Sequence, residues 1–177
     1  MQTWTRLADP GLRQGDYLTG CHVPVLPEDY GRELRSMRRI RLDAGDMIVM
    51  TQSCDLEQRK VSVVALCPIW PVTTYEAIHI GPSASRREWT ARWNNVRRGR
   101  EPGLHLLASP SEPNNAWAAL VVDFRVIYSL PYGYLSRLAA DSGPRWRLNS
   151  PYLEHFSQAF ARFFMRVGLP SNVAEFK

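Results

Sequence analysis

Lysine is almost missing from this sequence. Of 22 positively charged residues in 177, 20 are arginine, and only Lys60 and Lys177 are lysine. Cysteine is scarce as well. Cys21, Cys54 and Cys67 stand 33 and 13 residues apart, which fits neither a paired disulfide framework nor a C-x2-C metal site, so reduced thiols are expected. The longest uncharged stretch, residues 61–75, has 15 residues and contains Pro68 and Pro71, whereas a membrane-spanning helix needs about 20 apolar residues. No membrane contact is therefore expected. The stretch carrying Arg6, Asp9 and Arg13 has no apolar core of the kind that marks a secretory leader, and the expected location is the cytoplasm. Repeats, low-complexity tracts and long linkers are also lacking, which predicts one domain over 1–177.

What is present is a core and an uneven positive charge. Hydrophobic residues make up 45% of the chain, with 6 Trp, 7 Tyr and 6 Phe, enough apolar surface to exclude a disordered polymer. The formal net charge is +5, and it is clustered: Arg32, Arg35, Arg38, Arg39 and Arg41 share one ten-residue span, and Arg86, Arg87, Arg92, Arg97, Arg98 and Arg100 a fifteen-residue one. Such patches suit anionic partners.

Turn pairs punctuate the first half. Gly15-Asp16 and Gly45-Asp46 each precede a β-favouring run, and the runs 47–52 and 61–67, joined by polar residues 55–60, predict a hairpin. Further strands are predicted over 76–80, 104–107 and 117–128, the last alternating Val122, Phe124, Val126 and Tyr128 against Asp123 and Arg125. Two helices have stronger signals. Ser85-Arg86-Arg87-Glu88 is a capping-box sequence that starts a helix over about 86–98, with Trp89, Trp93 and Val96 on one face and Arg87, Asn94 and Arg98 on the other. Ser150 as cap, Pro151 at the first helical position, and Gly168 and Pro170 as the stop predict a closing helix over about 151–167. Its stripe of Leu153, Phe156, Phe160, Phe163, Phe164 and Val167 should pack on the core.

These elements predict an α+β fold: a small, partly open SH3-like β-barrel with strands over about 15–148, an inserted basic helix and a C-terminal aromatic helix. In layout, with a Gly-Asp strand entry and a closing helix, this resembles the MazF/PemK-like SH3-like barrels. Neither Gly15-Asp16-Tyr17 nor Gly45-Asp46-Met47 continues with that family's characteristic dipeptide run into its first loop, so none of its ribonuclease residues are carried over. Gly45-Asp46, Thr51-Gln52-Ser53-Cys54-Asp55-Leu56, Ser150-Pro151-Tyr152, Gln158-Ala159-Phe160 and Met165-Arg166-Val167-Gly168-Leu169-Pro170 resemble a family of small uncharacterised bacterial proteins. That resemblance implies a bacterial source and no activity.

The densest polar cluster is Gln52-Ser53-Cys54-Asp55. Cys54 could serve as a thiolate nucleophile with Asp55 and a histidine such as His22, His79 or His155; the simpler expectation is a thiol filling space under a turn, with Ser53 and Asp55 bonding backbone N–H groups. Cys21, His22, Cys54 and Cys67 have zinc-ligand chemistry, yet a hairpin puts Cys54 and Cys67 at opposite ends, roughly 20 Å apart, and no metal is expected. His79 and His105 read as outward strand residues, and Asp123 as the partner of Arg125. The arginines carry the functional expectation: Arg86, Arg87, Asn94, Arg97, Arg98 and Arg100, with Arg35, Arg38 and Arg39 of the earlier cluster, as a surface that docks a non-catalytic bacterial accessory module into a larger protein or nucleoprotein assembly, through RNA, DNA or an acidic protein face. No cofactor is expected. The alternatives are an enzyme centred on Cys54 and Asp55, or a divergent MazF-like ribonuclease.

Overall fold

The computed structural model describes residues 2–28, 30, 31, 40–79 and 85–165. In chain order these form β1 (Trp4–Leu7), β2 (Tyr17–Val25), β3 (Arg41–Val49), α1 (Ser53–Glu57), β4 (Val63–Pro71), α2 (Val72–His79), α3 (Arg86–Arg97), β5 (Leu104–Leu107), β6 (Leu120–Asp123), β7 (Tyr128–Pro131), α4 (Tyr132–Asp141), β8 (Arg145–Leu148) and α5 (Tyr152–Phe164). The fold is α+β. A six-stranded antiparallel sheet runs β2-β3-β4-β6-β5, with β7 also paired to β4, and β1 and β8 form a separate two-stranded sheet. Among the described residues no pairing joins β2 to β5, so the sheet is open and no closed barrel forms.

The expected hairpin exists, with Ile48 opposite Cys67 and Val49 opposite Leu66. Its connection, however, contains the helical turn α1 in place of an irregular loop. Alternation along β3 then sorts the core. Met47 and Val49 join a cluster with Leu66, Leu130, Leu135 and Ala139 under α4, whereas Ile48 joins Ile69, Val122, Phe124 and Phe156 under α5.

Three expectations fail for identifiable reasons. The run 76–80, predicted as a strand, lies largely within α2, where Val72 and Tyr75 are buried against α3; packing overrides β propensity there. The run 117–128 breaks after Asp123. There the Asp123 carboxylate accepts from the Arg125 backbone N–H at 3.0 Å and from its Nε at 2.8 Å, a side-chain-closed turn that ends β6 before the chain returns to β4 as β7. Third, the closing helix starts one residue late, with Pro151 as its cap, and Phe164 at its end is 57% exposed. Val167, Gly168 and Pro170 lie outside the described residues.

At the β5 end the sheet is covered on both faces. Leu104 and Leu106 pack with Trp89, Trp93 and Val96 of α3, while Leu107 packs with Phe156 and its neighbours on α5. Two helices thus come round one free strand edge. The capping box that starts α3 is formed: Ser85 Oγ accepts from the Glu88 N–H at 3.3 Å, and Glu88 Oε2 accepts from the Ser85 N–H at 2.7 Å.

Candidate anion-binding cleft

Beside the free edge of β5 the C-terminal end of α3 faces α5, and a cleft of about 370 Å³ opens between them, lined by Arg97, Arg98, His105, His155, Gln158 and Arg162 among others. Local sequence builds each wall. Gly99, at φ 70°, lets the backbone turn over where a side chain would be strained. Its N–H donates to Val96 O at 2.9 Å and that of Arg100 to Asn95 O at 2.9 Å, closing the helix so that Arg97 and Arg98 project from the final turn. On α5, His155, Gln158 and Arg162 follow at i, i+3 and i+7, one face of a helix.

The electrostatics are one-sided. Among the described residues, Arg97, Arg98, Arg100 and Arg162 have no ion-pair partner within 4 Å. The nearest acid in sequence, Glu101, is taken by Arg92, whose Nε lies 3.2 Å from Glu101 Oε2. His105 is not the outward strand residue expected. Because both faces of β5 are covered, its ring packs 5.9 Å from Phe124 and 5.4 Å from Phe156, and burial, with a smaller contribution from neighbouring His155, pushes its pKa down to about 4. It is therefore a neutral imidazole at the edge of a cationic cleft. Such a site can receive an anionic oxygen from several directions without a metal.

The expected arginine surface divides between separate places in the fold. Arg97 and Arg98 enter the cleft, and Arg100 follows just past the cap. Arg86 does not join them: its guanidinium lies 3.1 Å from the Trp117 ring centroid and 3.9 Å from Glu76, so it fixes α3 to the loop before β6. Arg87 is exposed but eleven residues before Arg98, roughly 16 Å along the axis. Asn94 is half-buried in a second cleft, not on the outward face with Arg98. Arg35, Arg38 and Arg39 lie outside the described residues, and Arg41 pairs with Asp43 at 3.0 Å.

Cys54, Asp55 and His22 are not brought together. Cys54 is exposed, contrary to the expectation of a thiol under the turn; its Sγ lies 3.7 Å from Gln52 Oε1 and 3.8 Å from Asp55 Oδ1. His22 sits on β2 opposite Ala44, eight residues past Gln14, whose backbone N–H bonds Ser53 Oγ beside Cys54. His79 ends α2, with its ring 4.1 Å from that of Tyr75. Cys67 is buried, which pushes its thiol up to about 12. Among the described residues no three His, Cys, Asp or Glu side chains gather as metal ligands. His105, His155, Gln158 and Arg162 are the cleft residues that sequence reasoning missed, and the i, i+3, i+7 spacing of the last three was the available signal. No protein-family model matches the chain, and no curated protein matches it either.

Proposed function

We propose that the chain is a non-catalytic module that docks into a larger nucleoprotein assembly by holding nucleic-acid phosphates in the cleft between α3 and α5. One observation carries the reading: Arg97, Arg98 and Arg162 converge from two elements with no carboxylate among the described residues to neutralise them. Convergent cations without internal partners are stabilised by an external anion, and guanidinium forks match phosphate oxygens. Charge beside a free strand edge also discourages edge-to-edge pairing, but that role needs no second helix to contribute. The neutral His105 adds a hydrogen-bonding group without repelling the arginines. No helix among the described residues is long and apolar enough to cross a membrane.

The test is a salt titration by fluorescence anisotropy with labelled single-stranded RNA and duplex DNA, on wild type and on an Arg98→Glu, Arg162→Glu variant. Wild-type affinity should fall steeply with salt as counterions are released, and the variant should bind both polymers weakly with a shallower slope. Failure of wild type to bind either polymer at low salt sinks the reading, and a salt-tolerant complex with an acidic protein of fixed stoichiometry would replace it.

A further inference from the structure

On the other side of Arg97, against the opposite flank of α3, lies a second cleft of about 370 Å³, walled by Trp93, Asn94, Arg97, Leu106, Asn115 and Trp117 among others. It shares Arg97 and Leu106 with the basic cleft. Its size and mainly apolar lining with a few polar groups are those of a small-molecule site. The walls are held in place. Trp93 donates from Nε1 to Glu76 Oε1 at 2.7 Å and stacks on Trp89 at 5.3 Å and 15°, while Trp117 is pinned by Arg86. Asn115 is spent on its own loop, accepting from the Trp117 N–H at 3.0 Å and donating to Glu112 at 2.8 Å.

Two polar groups have no partner within the described chain. The Asn94 side-chain amide has no hydrogen bond, and Arg97 no ion pair, among the described residues. An amide offers an adjacent donor and acceptor, the pattern that reads the edge of a nucleobase; an indole wall suits a flat heterocycle; a guanidinium at the mouth suits a phosphate. The three chemistries meet in one molecule. A polymer is the poorer fit for this cleft, because strand-binding grooves present a row of exposed rings, whereas the α3 tryptophans Trp89 and Trp93 are 5% and 8% exposed and stacked on each other.

We propose that this cleft binds a free nucleoside monophosphate, its base against Trp117 and the floor formed by Trp93, its edge on the Asn94 amide and its phosphate on Arg97. The inference goes beyond the docking role and does not require it, although the two clefts share Arg97, so Arg97→Glu should weaken polymer binding as well and only the Arg98→Glu, Arg162→Glu variant separates the two. The probes are AMP, GMP, UMP and CMP, with the matching nucleosides and ribose 5-phosphate, followed by quenching of tryptophan fluorescence and by equilibrium dialysis. At least one nucleotide should bind saturably. Its nucleoside should bind about tenfold more weakly for want of the charged bonds, and ribose 5-phosphate about tenfold more weakly for want of stacking. Arg97→Glu should reduce the nucleotide to the level of its nucleoside or below, and Asn94→Ala should weaken both alike. The Arg98→Glu, Arg162→Glu variant, altered in the other cleft, should keep nucleotide binding while losing the polymers.

Ribose 5-phosphate binding as tightly as any nucleotide would overturn the base assignment, and no saturable binding up to about 1 mM would overturn the site. A short oligonucleotide that binds far more tightly than any mononucleotide and is displaced by it would overturn the free-ligand assignment. Nucleotide binding and polymer binding are read separately, so either proposal can fail while the other stands.

Discussion

Arg145 and Arg147 on β8 and the arginines around the β5 edge are the same side chain in two chemical situations. On β8 both guanidinium groups close on Asp16, which is 0% exposed. Arg145 Nε donates to Asp16 Oδ2 at 2.9 Å and its terminal nitrogens to the carbonyls of Asp9 and Gly11, while Arg147 donates to both Asp16 oxygens, to Asp9 Oδ2 and to Gly11 O. The segment 9–16 is thereby clamped to the two-stranded sheet, whose β1 and β8 pair Trp4 with Leu148 and Leu7 with Arg145. Around β5 the guanidinium groups have no such partners among the described residues. Charge density along a sequence therefore says little about function until the carboxylates that consume it are placed, and the β8 pair, which stands in neither sequence cluster, is the one whose carboxylate is fully buried.

The largest effect should come from breaking the β8 side of the contrast. Asp16→Asn keeps the shape but removes the charge between two arginines, leaving Arg145, itself 5% exposed, without a counter-ion. Losing one partner of a buried pair should cost about 3–5 kcal/mol, read as a lowered urea midpoint with unchanged slope. A cost below about 1 kcal/mol would mean that the backbone carbonyls alone hold the arginines, and the distinction between the two regions would collapse.

A second, smaller effect depends on pH. In the folded protein burial holds His105 neutral down to about pH 4, whereas the unfolded chain takes up that proton near pH 6.5. Over that window the unfolded state binds more protons, so stability falls as pH drops from about 6.5 towards 4, by about 2–3 kcal/mol in all. The depressed carboxyls act lower. Asp9, bonded by the Gly11 N–H and by Arg147, and Asp123, where burial pulls upward but the bonds from Arg125 outweigh it, are both held below the ordinary range. Their contribution is present above about pH 4 and is lost as pH falls further. Melts of His105→Leu across the same range should lose the upper slope and keep the lower one. An unchanged upper slope would assign it to another group.

The closing helix shows how far the sequence could be read. Its existence and aromatic stripe follow from spacing, and its start to within one residue, but its burial does not, because the stripe is wider than the surface available. Phe156 is 0% exposed and Phe164 57%. Phe160, half-buried with its ring 5.3 Å from Phe124, should cost about 2 kcal/mol when cut to Ala, and Phe164→Ala should cost little. Equal melting temperatures for these two variants would mean that the end of α5 is buried against something else. Similarly, the α3 capping box, the Trp89, Trp93 and Val96 face and the Asp123–Arg125 pair were legible because both partners lie within four residues of each other or on one helical period. The cleft was legible only in fragments. Arg97 and Arg98 were in view, but His105 reads as an outward strand residue until α5 is placed over it, and Arg162 meets Arg98 only through tertiary packing across 64 residues of chain.

The smallest expected change in stability belongs to the variant with the largest expected change in binding. Arg98 and Arg162 each sit in or just past the last turn of a helix, where a cation complements the exposed carbonyls by a few tenths of a kcal/mol. Neither has a carboxylate to leave unpaired among the described residues, so reversal to Glu loses only that end effect and adds a little unfavourable dipole interaction. Removing two like charges that face one cleft also relieves mutual repulsion. Together Arg98→Glu and Arg162→Glu should therefore move stability by no more than about 1 kcal/mol, against about 3–5 kcal/mol for Asp16→Asn, when both are measured by urea denaturation in the same buffer. Raising the salt should shrink the small difference further, since exposed charges are screened within about 10 Å at 0.1 M, and should leave the cost of Asp16→Asn almost unchanged because its partners are buried. If the double reversal instead destabilises as strongly as Asp16→Asn, the cleft arginines are structural in the same sense as those on β8, and their lack of partners in the described chain has no bearing on binding.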